Sequence, residues 1–119
     1  MNNVRRGRRF EALAERHLRE RGWRVLDRNV RLVRKEIDLV VEKSGIVAFV
    51  EVKGRSGVTF GHPLEAITRK KRNSISVAAR AWIERSDFRA RCYRFDAVSV
   101  LVNPDGVLEV EHVEGAWIE

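Results

Sequence analysis

The stretch that decides the fold is residues 36–53, which reads EIDLVVEKSGIVAFVEVK. Its two halves are rich in Val, Ile and Phe, which are typical of strands, and Lys43-Ser44-Gly45 between them is typical of a tight turn. We therefore predict a β-hairpin. The second half, residues 46–53, is apolar on both faces until its end, which predicts a central position in the sheet. Alternation in the first half predicts two faces, with Ile37, Leu39 and Val41 on one and Glu36, Asp38 and Val40 on the other.

Outward from the hairpin, the chain predicts two helices and three further strands. Apolar residues recur at three- and four-residue steps over 5–21 and again over 64–85, which indicates two amphipathic helices. Runs at 23–30, 93–102 and 107–113 predict strands, the last two joined by a turn at 103–106. Glycines at 54, 57 and 61 predict a loop over 54–63. The order α-β-β-β-α-β-β indicates an α/β fold, a mixed β-sheet of about five strands flanked by helices.

Length and charge narrow the class of protein. The chain has 119 residues, with 24 Lys and Arg against 17 Asp and Glu, and a net charge of +7. It contains two prolines and no repeat or flexible linker, so we expect a single domain over 1–119. No apolar run approaches the roughly 18–20 residues of a membrane span, and the basic N-terminus is unlike a secretory signal. With one cysteine, Cys92, we expect a cytoplasmic location and, from the charge, a nucleic-acid partner.

Two carboxylates lie inside the predicted hairpin strands, where acids are unfavourable. Asp38 and Glu51 are each flanked by aliphatic residues, and Lys53 follows two positions after the second acid. Side chains at i and i+2 of a strand share a face, so Glu51 and Lys53 point the same way. Asp38 lies near the open end of the same hairpin, so we expect the three groups to converge. Carboxylates in such positions resist burial unless a cation neutralises them.

An oxygen-only set of this kind suits Mg²⁺ or Mn²⁺, which accept one or two carboxylates and keep several waters. Asp38 and Glu51 would be ligands, and the backbone carbonyl of Val52 would be a further one. Lys53 would hold or deprotonate the attacking water. This is the arrangement of a metal-assisted phosphodiesterase.

The same spacing equally suits a structural ion pair at a sheet edge. Two further residues favour the site. Glu11 lies beside the inner stripe of the first helix, and Lys71 falls on the stripe of the second, so both are expected to angle toward the acids. A lysine on such a stripe is also typical of a side chain that packs its stem and keeps its ammonium in water.

The strings EIDLV at 36–40 and FVEVKGR at 49–55 resemble the hallmark of the PD-(D/E)xK restriction-endonuclease-like superfamily. More closely, the chain is similar to the small, uncharacterised YraN-like bacterial family within it, which is related in fold to archaeal Holliday-junction resolvases. The resemblance covers nearly the whole chain. Its other matching positions are Gly7, Glu11, Ala14, Leu18, Gly22, Arg28, Asn29, Phe60, Gly61, Ala66, Lys71, Arg94, Phe95 and Asp96.

The resemblance implies a restriction-endonuclease-like fold in which Asp38 and Glu51 are metal ligands and Lys53 is the catalytic lysine. Glu11 would be the first-helix acid that assists the metal or its water, and Asp96 would be structural. The chain departs from the family pattern at two positions. Lys35 and Phe10 stand where the family usually has glycine.

Basic residues flank the predicted site on the loop and second helix, and they predict contacts to phosphates. They are Arg55, Arg69, Lys70, Lys71 and Arg72. A solvated helix face is the alternative interpretation. Nothing resembles a base-reading helix, so recognition would be of shape or backbone.

Two functions are therefore carried forward. The first is a Mg²⁺-dependent nuclease that hydrolyses DNA phosphodiester bonds, selective for branched or single-stranded DNA, and paired as a homodimer if it cuts both strands of a junction. The second is a non-catalytic nucleic-acid-binding module on the same fold, a partner in a recombination or repair complex. A protein-interaction domain without a nucleic-acid role is the weaker alternative.

Overall fold

The computed structural model describes residues 3–56, 67–106 and 108–117, with side chains over 8–55 in the first range. These residues form two helices and a five-stranded sheet in the predicted order α-β-β-β-α-β-β, so the predicted fold class is confirmed. The elements are α1 (Asn3–Glu20), β1 (Arg24–Leu32), β2 (Lys35–Lys43), β3 (Ile46–Ser56), α2 (Arg69–Arg85), β4 (Cys92–Val102) and β5 (Leu108–Trp117).

The strands lie in the order β1-β2-β3-β4-β5, and β3 is central as its two-sided apolar sequence predicts. β3 and β4 are parallel and the other neighbours are antiparallel. The predicted turns at 43–45 and 103–106 are both present, the second closed by a hydrogen bond from Gly106 N–H to Asn103 O (2.9 Å). Neither described helix is long and apolar enough to cross a membrane.

Each face of the sheet carries one helix and one apolar core. On the α2 face the largest buried side chains surround Phe49, which contacts Trp82 edge-on (5.7 Å between ring centroids). On the α1 face Ala14 and Leu18 pack against Leu39 and Val50. The predicted inner stripe of the second helix is confirmed within α2, because its members there are buried or half-buried: Ile75, Ala78, Ala79, Trp82 and Ile83. Ile67 is buried too, but it precedes the helix.

Some predicted boundaries are wrong. α2 begins at Arg69 and not at residue 64, because the Thr68 hydroxyl accepts the Lys71 N–H (3.1 Å) and so caps the helix there. Residues 64–66 lie outside the described residues. β3 continues through Gly54 to Ser56, paired with β4, where a loop was predicted, and the rest of that loop lies in the undescribed 57–66. β5 extends to Trp117, past the predicted residue 113.

The predicted alternation of β2 is confirmed for Leu39 and Val41 on one face and Val40 on the other, but it is wrong at Ile37. Ile37 and Val40 belong to the α2-side core, whereas Leu39 belongs to the α1-side core. Asn29 explains the break, because it lies opposite Asp38 in the β1–β2 register with a φ of 48°, which is outside the strand region. The pleat is therefore interrupted at the level of Asp38.

The sheet divides at the same level. The β2–β3 ladder ends at the pair Leu39↔Val50. Beyond it, β2 stays paired with β1 as far as Lys35, and β3 stays paired with β4 as far as Ser56. The two strand pairs thus separate and leave a cleft between the first half of β2 and the second half of β3. We call this the fork cleft.

Phe10 packs α1 against the second half of β3. Its ring lies directly over Gly54, where an added Cβ would overlap with the ring carbons. The contact requires the glycine, and it fixes the position of the next helical residue, Glu11, relative to the fork cleft. Phe10, which departs from the family pattern, therefore has a complementary partner in this chain.

We predict that Gly54→Ala destabilises the protein by about 1–3 kcal/mol, because the added methyl overpacks the Phe10 ring. The measurement is a double-mutant cycle by urea unfolding with Phe10→Ala and the combined variant. Phe10→Ala removes the obstacle, so Gly54→Ala should cost clearly less in that background. Equal costs in both backgrounds would contradict the contact.

Candidate metal and nucleic-acid site

Asp38 occupies the fork itself. Its Oδ2 accepts a hydrogen bond from the Val52 backbone N–H (2.8 Å). This N–H lies just beyond the last β2–β3 pair, so the carboxylate replaces the backbone carbonyl that a continuing ladder would supply. Because the N–H and C=O of a strand residue point to the same neighbour, the Val52 carbonyl also faces the fork cleft.

Glu51 is buried beside Asp38, with 6% of its surface exposed. Its Oε1 lies 3.6 Å from the Lys71 Nζ on α2. Its Oε2 is buried and has no hydrogen-bond partner among the described residues. A buried carboxylate oxygen without a partner is costly, and such an orphan calls for a ligand that the side chains around it do not supply.

Burial raises the pKa of both carboxyl groups in the cleft. The pKa of Glu51 rises to about 8, chiefly by desolvation and then by the nearby charge of Asp38, while Lys71 opposes the shift. Desolvation also raises the pKa of Asp38, against the hydrogen bond from Val52. Because two carboxylates this close oppose each other's ionisation, ionising both without a cation is unfavourable.

Glu11 extends the acidic cluster from the α1 side. The pKa of Glu11 is raised to about 7, chiefly by burial and then by the charges of Asp38 and Glu36, while Arg8 and Asn29 oppose the shift. The charges of two acids of β2, Asp38 and Glu36, therefore act on Glu11. Glu36 and Asn29 were not predicted as site residues. The sequence does contain an indication of both residues, because Asn29 and Glu36 are among the positions at which the chain resembles the family.

The donor set fits a hard divalent cation. Among the described residues no three of His, Cys, Asp and Glu form a metal-binding cluster, so a cage made wholly of side chains is absent. Mg²⁺ does not need one, because it binds through one or two carboxylates and keeps water on its other positions. Asp38, the orphan oxygen of Glu51 and the Val52 carbonyl are the groups that would hold it.

The predicted basic residues lie in three different environments. Lys53 is exposed on the face of β3 that carries Glu51, and its charge acts on that carboxylate. Lys71 reaches Glu51 from α2, while Arg69 and Lys70 are exposed.

The side chains of Arg55 and Arg72 are half-buried, and their guanidinium groups pack against the protein. Buried nitrogens of both guanidinium groups lack a hydrogen-bond partner in the described part of the chain. The Arg72 guanidinium also lies over the Trp117 ring, 5.8 Å from its centroid.

Asp96 shows what a satisfied buried acid looks like in this fold. It is fully buried, and both of its oxygens accept hydrogen bonds from the Arg94 guanidinium (2.8 and 2.9 Å). His112 Nε2 (2.7 Å) and the Gly115 N–H (3.0 Å) complete the set. Burial alone would raise the pKa of Asp96, but these bonds lower it below the usual value. The ion pair with Arg94 suits the structural role that the family resemblance implies for Asp96.

The fold and the cleft define a class. This is a mixed-sheet α/β protein whose central strand carries an acid and a lysine at i and i+2, with a second acid on the adjoining strand. Residues 10–100 match the profile described as Uncharacterised protein family UPF0102. The chain belongs to this family.

Relatives match over most of their length. A UPF0102 protein of Clavibacter michiganensis is 43% identical over 110 residues, covering 92% of this chain and 93% of that protein. A UPF0102 protein of Chloroherpeton thalassium is 40% identical over 101 residues, covering 85% and 78%. A third, from Dictyoglomus turgidum, is 36% identical over 118 residues, covering 98% and 100%. The suspected family membership is thereby confirmed.

We predict that the metal-free protein loses stability as the pH rises from about 5 to about 8. The folded state keeps protons on Glu11 and Glu51, with pKa values of about 7 and about 8, after the unfolded chain has released them near 4.5. The unfolded state then binds fewer protons, so the free energy of unfolding decreases with pH. Thermal unfolding in EDTA measures this slope.

Two isosteric variants separate the two kinds of buried acid. Glu51→Gln should raise the melting temperature at about pH 8 and leave it nearly unchanged at about pH 5, since it removes only the cost of ionising that group. Asp96→Asn should lower the stability by about 3 kcal/mol at either pH, because it breaks a satisfied ion pair. A loss of stability at pH 8 in both variants would contradict the raised pKa of Glu51.

Proposed function

We propose that this protein is a Mg²⁺-dependent nuclease that hydrolyses phosphodiester bonds of DNA. The observation that carries the proposal is the orphan Oε2 of Glu51, buried next to Asp38 at the fork of the sheet. A carboxylate pair that is costly without a cation and close to a lysine is the chemistry of metal-assisted phosphoryl transfer.

Each cleft residue has a role in this reaction. Asp38, Glu51 and the Val52 carbonyl hold the cation, which would polarise the phosphate and acidify a bound water. Lys53 positions the attacking water and offsets the negative charge that develops on the phosphate oxygens. The water oxygen bonds to phosphorus and gives up its proton, the bond to the leaving oxygen breaks, and the leaving oxygen takes up a proton from solvent water.

Glu11 suits the proton transfer. Its pKa of about 7 lets it accept a proton from the attacking water near neutral pH. It acts from α1, held in place by the contact of Phe10 with Gly54.

A specific observation favours a second function, the non-catalytic DNA-binding module. The Lys71 ammonium already lies 3.6 Å from Glu51 and partly neutralises it. An ammonium in the place of a metal would leave a stable but inert site. The two functions differ in whether a divalent cation binds, and in whether binding to DNA is followed by cleavage.

We expect the purified protein to cut four-way junction, flap or single-stranded DNA with Mg²⁺ or Mn²⁺, and not with EDTA. Lys53→Ala should lower the cleavage rate about 100-fold or more, since it removes a group acting at the transition state. Lys43→Ala, at the far end of the β2–β3 hairpin, is the matched control and should cut like wild type. The nuclease proposal fails if no substrate is cut, or if Lys53→Ala is as active as Lys43→Ala.

We expect Mn²⁺ or Mg²⁺ to raise the melting temperature by roughly 10 °C at a hundredfold excess over the dissociation constant. The shift should grow with pH, because the ligands must be deprotonated. Glu51→Gln should abolish it, whereas Glu42→Gln, whose carboxylate pairs with Arg24 at the other end of β2, should retain it. A wild-type protein without any shift that still binds DNA would support the non-catalytic module instead.

A further inference from the structure

The tip of the β1–β2 hairpin has an unusual turn. Val33 and Arg34, the two turn residues, have φ values of 53° and 59°, the geometry that hairpins usually build from Asn-Gly. A β-branched residue is strongly disfavoured there because its side chain crowds the backbone. Val33 nevertheless occupies the position, and 63% of its surface is exposed.

This turn places an apolar side chain in water next to cations. Arg34 shares the turn and Lys35 begins β2. Neither residue forms an ion pair with a carboxylate of the described residues, whereas arginines elsewhere, such as Arg16 and Arg24, do. The turn costs local stability, and it leaves Val33 and Arg34 exposed next to the half-buried Lys35.

A groove continues from the tip to α2. It has a volume of about 400 Å³, and its lining carries three cations and no acid. The lining residues are Lys35, Arg69, Lys70, Asn73, Ser74 and Val77. The groove also meets the first turn of α2, where free backbone N–H groups and the helix dipole favour an anion.

Two residues of the groove are next in sequence to residues that act on the fork cleft. Lys35 directly precedes Glu36, whose charge acts on Glu11 and Asp38. Lys70 directly precedes Lys71, which contacts Glu51. A phosphate chain lying in the groove would therefore pass beside the carboxylates.

We propose that the β1–β2 hairpin is the structure-selecting element of the DNA-binding surface: the groove holds the phosphodiester backbone of one duplex arm, and Val33 packs against the exposed base pair at a branch point. This inference rests on the proposed function and names its substrate as branched duplex DNA. Cations without paired acids match phosphates, and a protruding apolar side chain fits a base step that is already unstacked.

The experiment measures binding of the full-length protein in EDTA, by fluorescence anisotropy, to a four-way junction and to a linear duplex of one of its arms. Val33→Gly should weaken junction binding about tenfold and leave duplex binding unchanged, since it removes only the apolar contact. Glycine accepts a positive φ, so this variant stays folded. Lys35→Gln combined with Lys70→Gln should weaken binding to both DNAs and reduce the slope of log K against log salt by about 2.

Arg85→Gln is the matched charge control, because it lies at the other end of α2, about 24 Å from Arg69. It should leave both affinities within about twofold of wild type. The proposal is overturned if Val33→Gly leaves the junction-to-duplex ratio unchanged, or if Arg85→Gln reduces the salt slope as much as one groove lysine does. Tighter binding to single-stranded RNA than to the junction also overturns it.

Binding in EDTA separates this proposal from the nuclease proposal. Cleavage that persists while Val33→Gly keeps its junction preference refutes the hairpin role alone. Junction binding that depends on Val33, without cleavage in Mg²⁺ or Mn²⁺, refutes the nuclease activity alone.

Discussion

The hydrogen bond from the Val52 N–H to the Asp38 carboxylate determines where this sheet opens. A ladder that ended without a partner at this level would leave a buried N–H unsatisfied, which is costly. Asp38 supplies the acceptor from a side chain, so β2 can leave β3 and follow β1 toward the hairpin tip. The same carboxylate that makes the cleft possible is thereby fixed at its apex, and fold and site share one interaction.

The pKa of each buried acid in this protein depends on how many hydrogen-bond and ion-pair partners its carboxylate has. Asp96 is as deeply buried as any residue in the protein, yet two guanidinium bonds and a histidine keep it ionised. Glu51 has only the Lys71 ammonium at 3.6 Å on one oxygen, and its other oxygen has no partner among the described residues. Its pKa therefore rises to about 8. A buried acid with a purely structural role needs hydrogen-bond or ion-pair partners on both of its carboxylate oxygens. The contrast within one fold is the reason that the Glu51 side is assigned to function and the Asp96 side to stability.

The sequence predicts the parts of this fold that depend on local pattern. The turn at 43–45 and the central position of β3 follow from turn chemistry and from two-sided apolarity. The start of α2 does not, because Ile67 is buried and keeps the helical period although it precedes the cap at Thr68. The face pattern of β2 fails only at Ile37, beyond the level where Asn29 on the opposite strand has a positive φ. Likewise Glu36 acts on the site through space, and the orphan oxygen of Glu51 becomes visible only when every neighbour is placed.

The two kinds of cation near the cleft have different relations to a bound metal. Lys71 neutralises Glu51 at 3.6 Å, so a divalent cation on that carboxylate would repel the ammonium. Lys71 is 45% exposed at its side chain, so it can turn outward toward Lys70 and the groove, and this movement gives up only its contact with Glu51. Loading the cleft with metal would therefore add a positive charge to the surface that faces phosphate. Under the proposed function, the lysine that neutralises Glu51 in the metal-free protein would become a phosphate ligand once the metal is bound. The 3.6 Å contact then favours an order in which the metal binds before DNA.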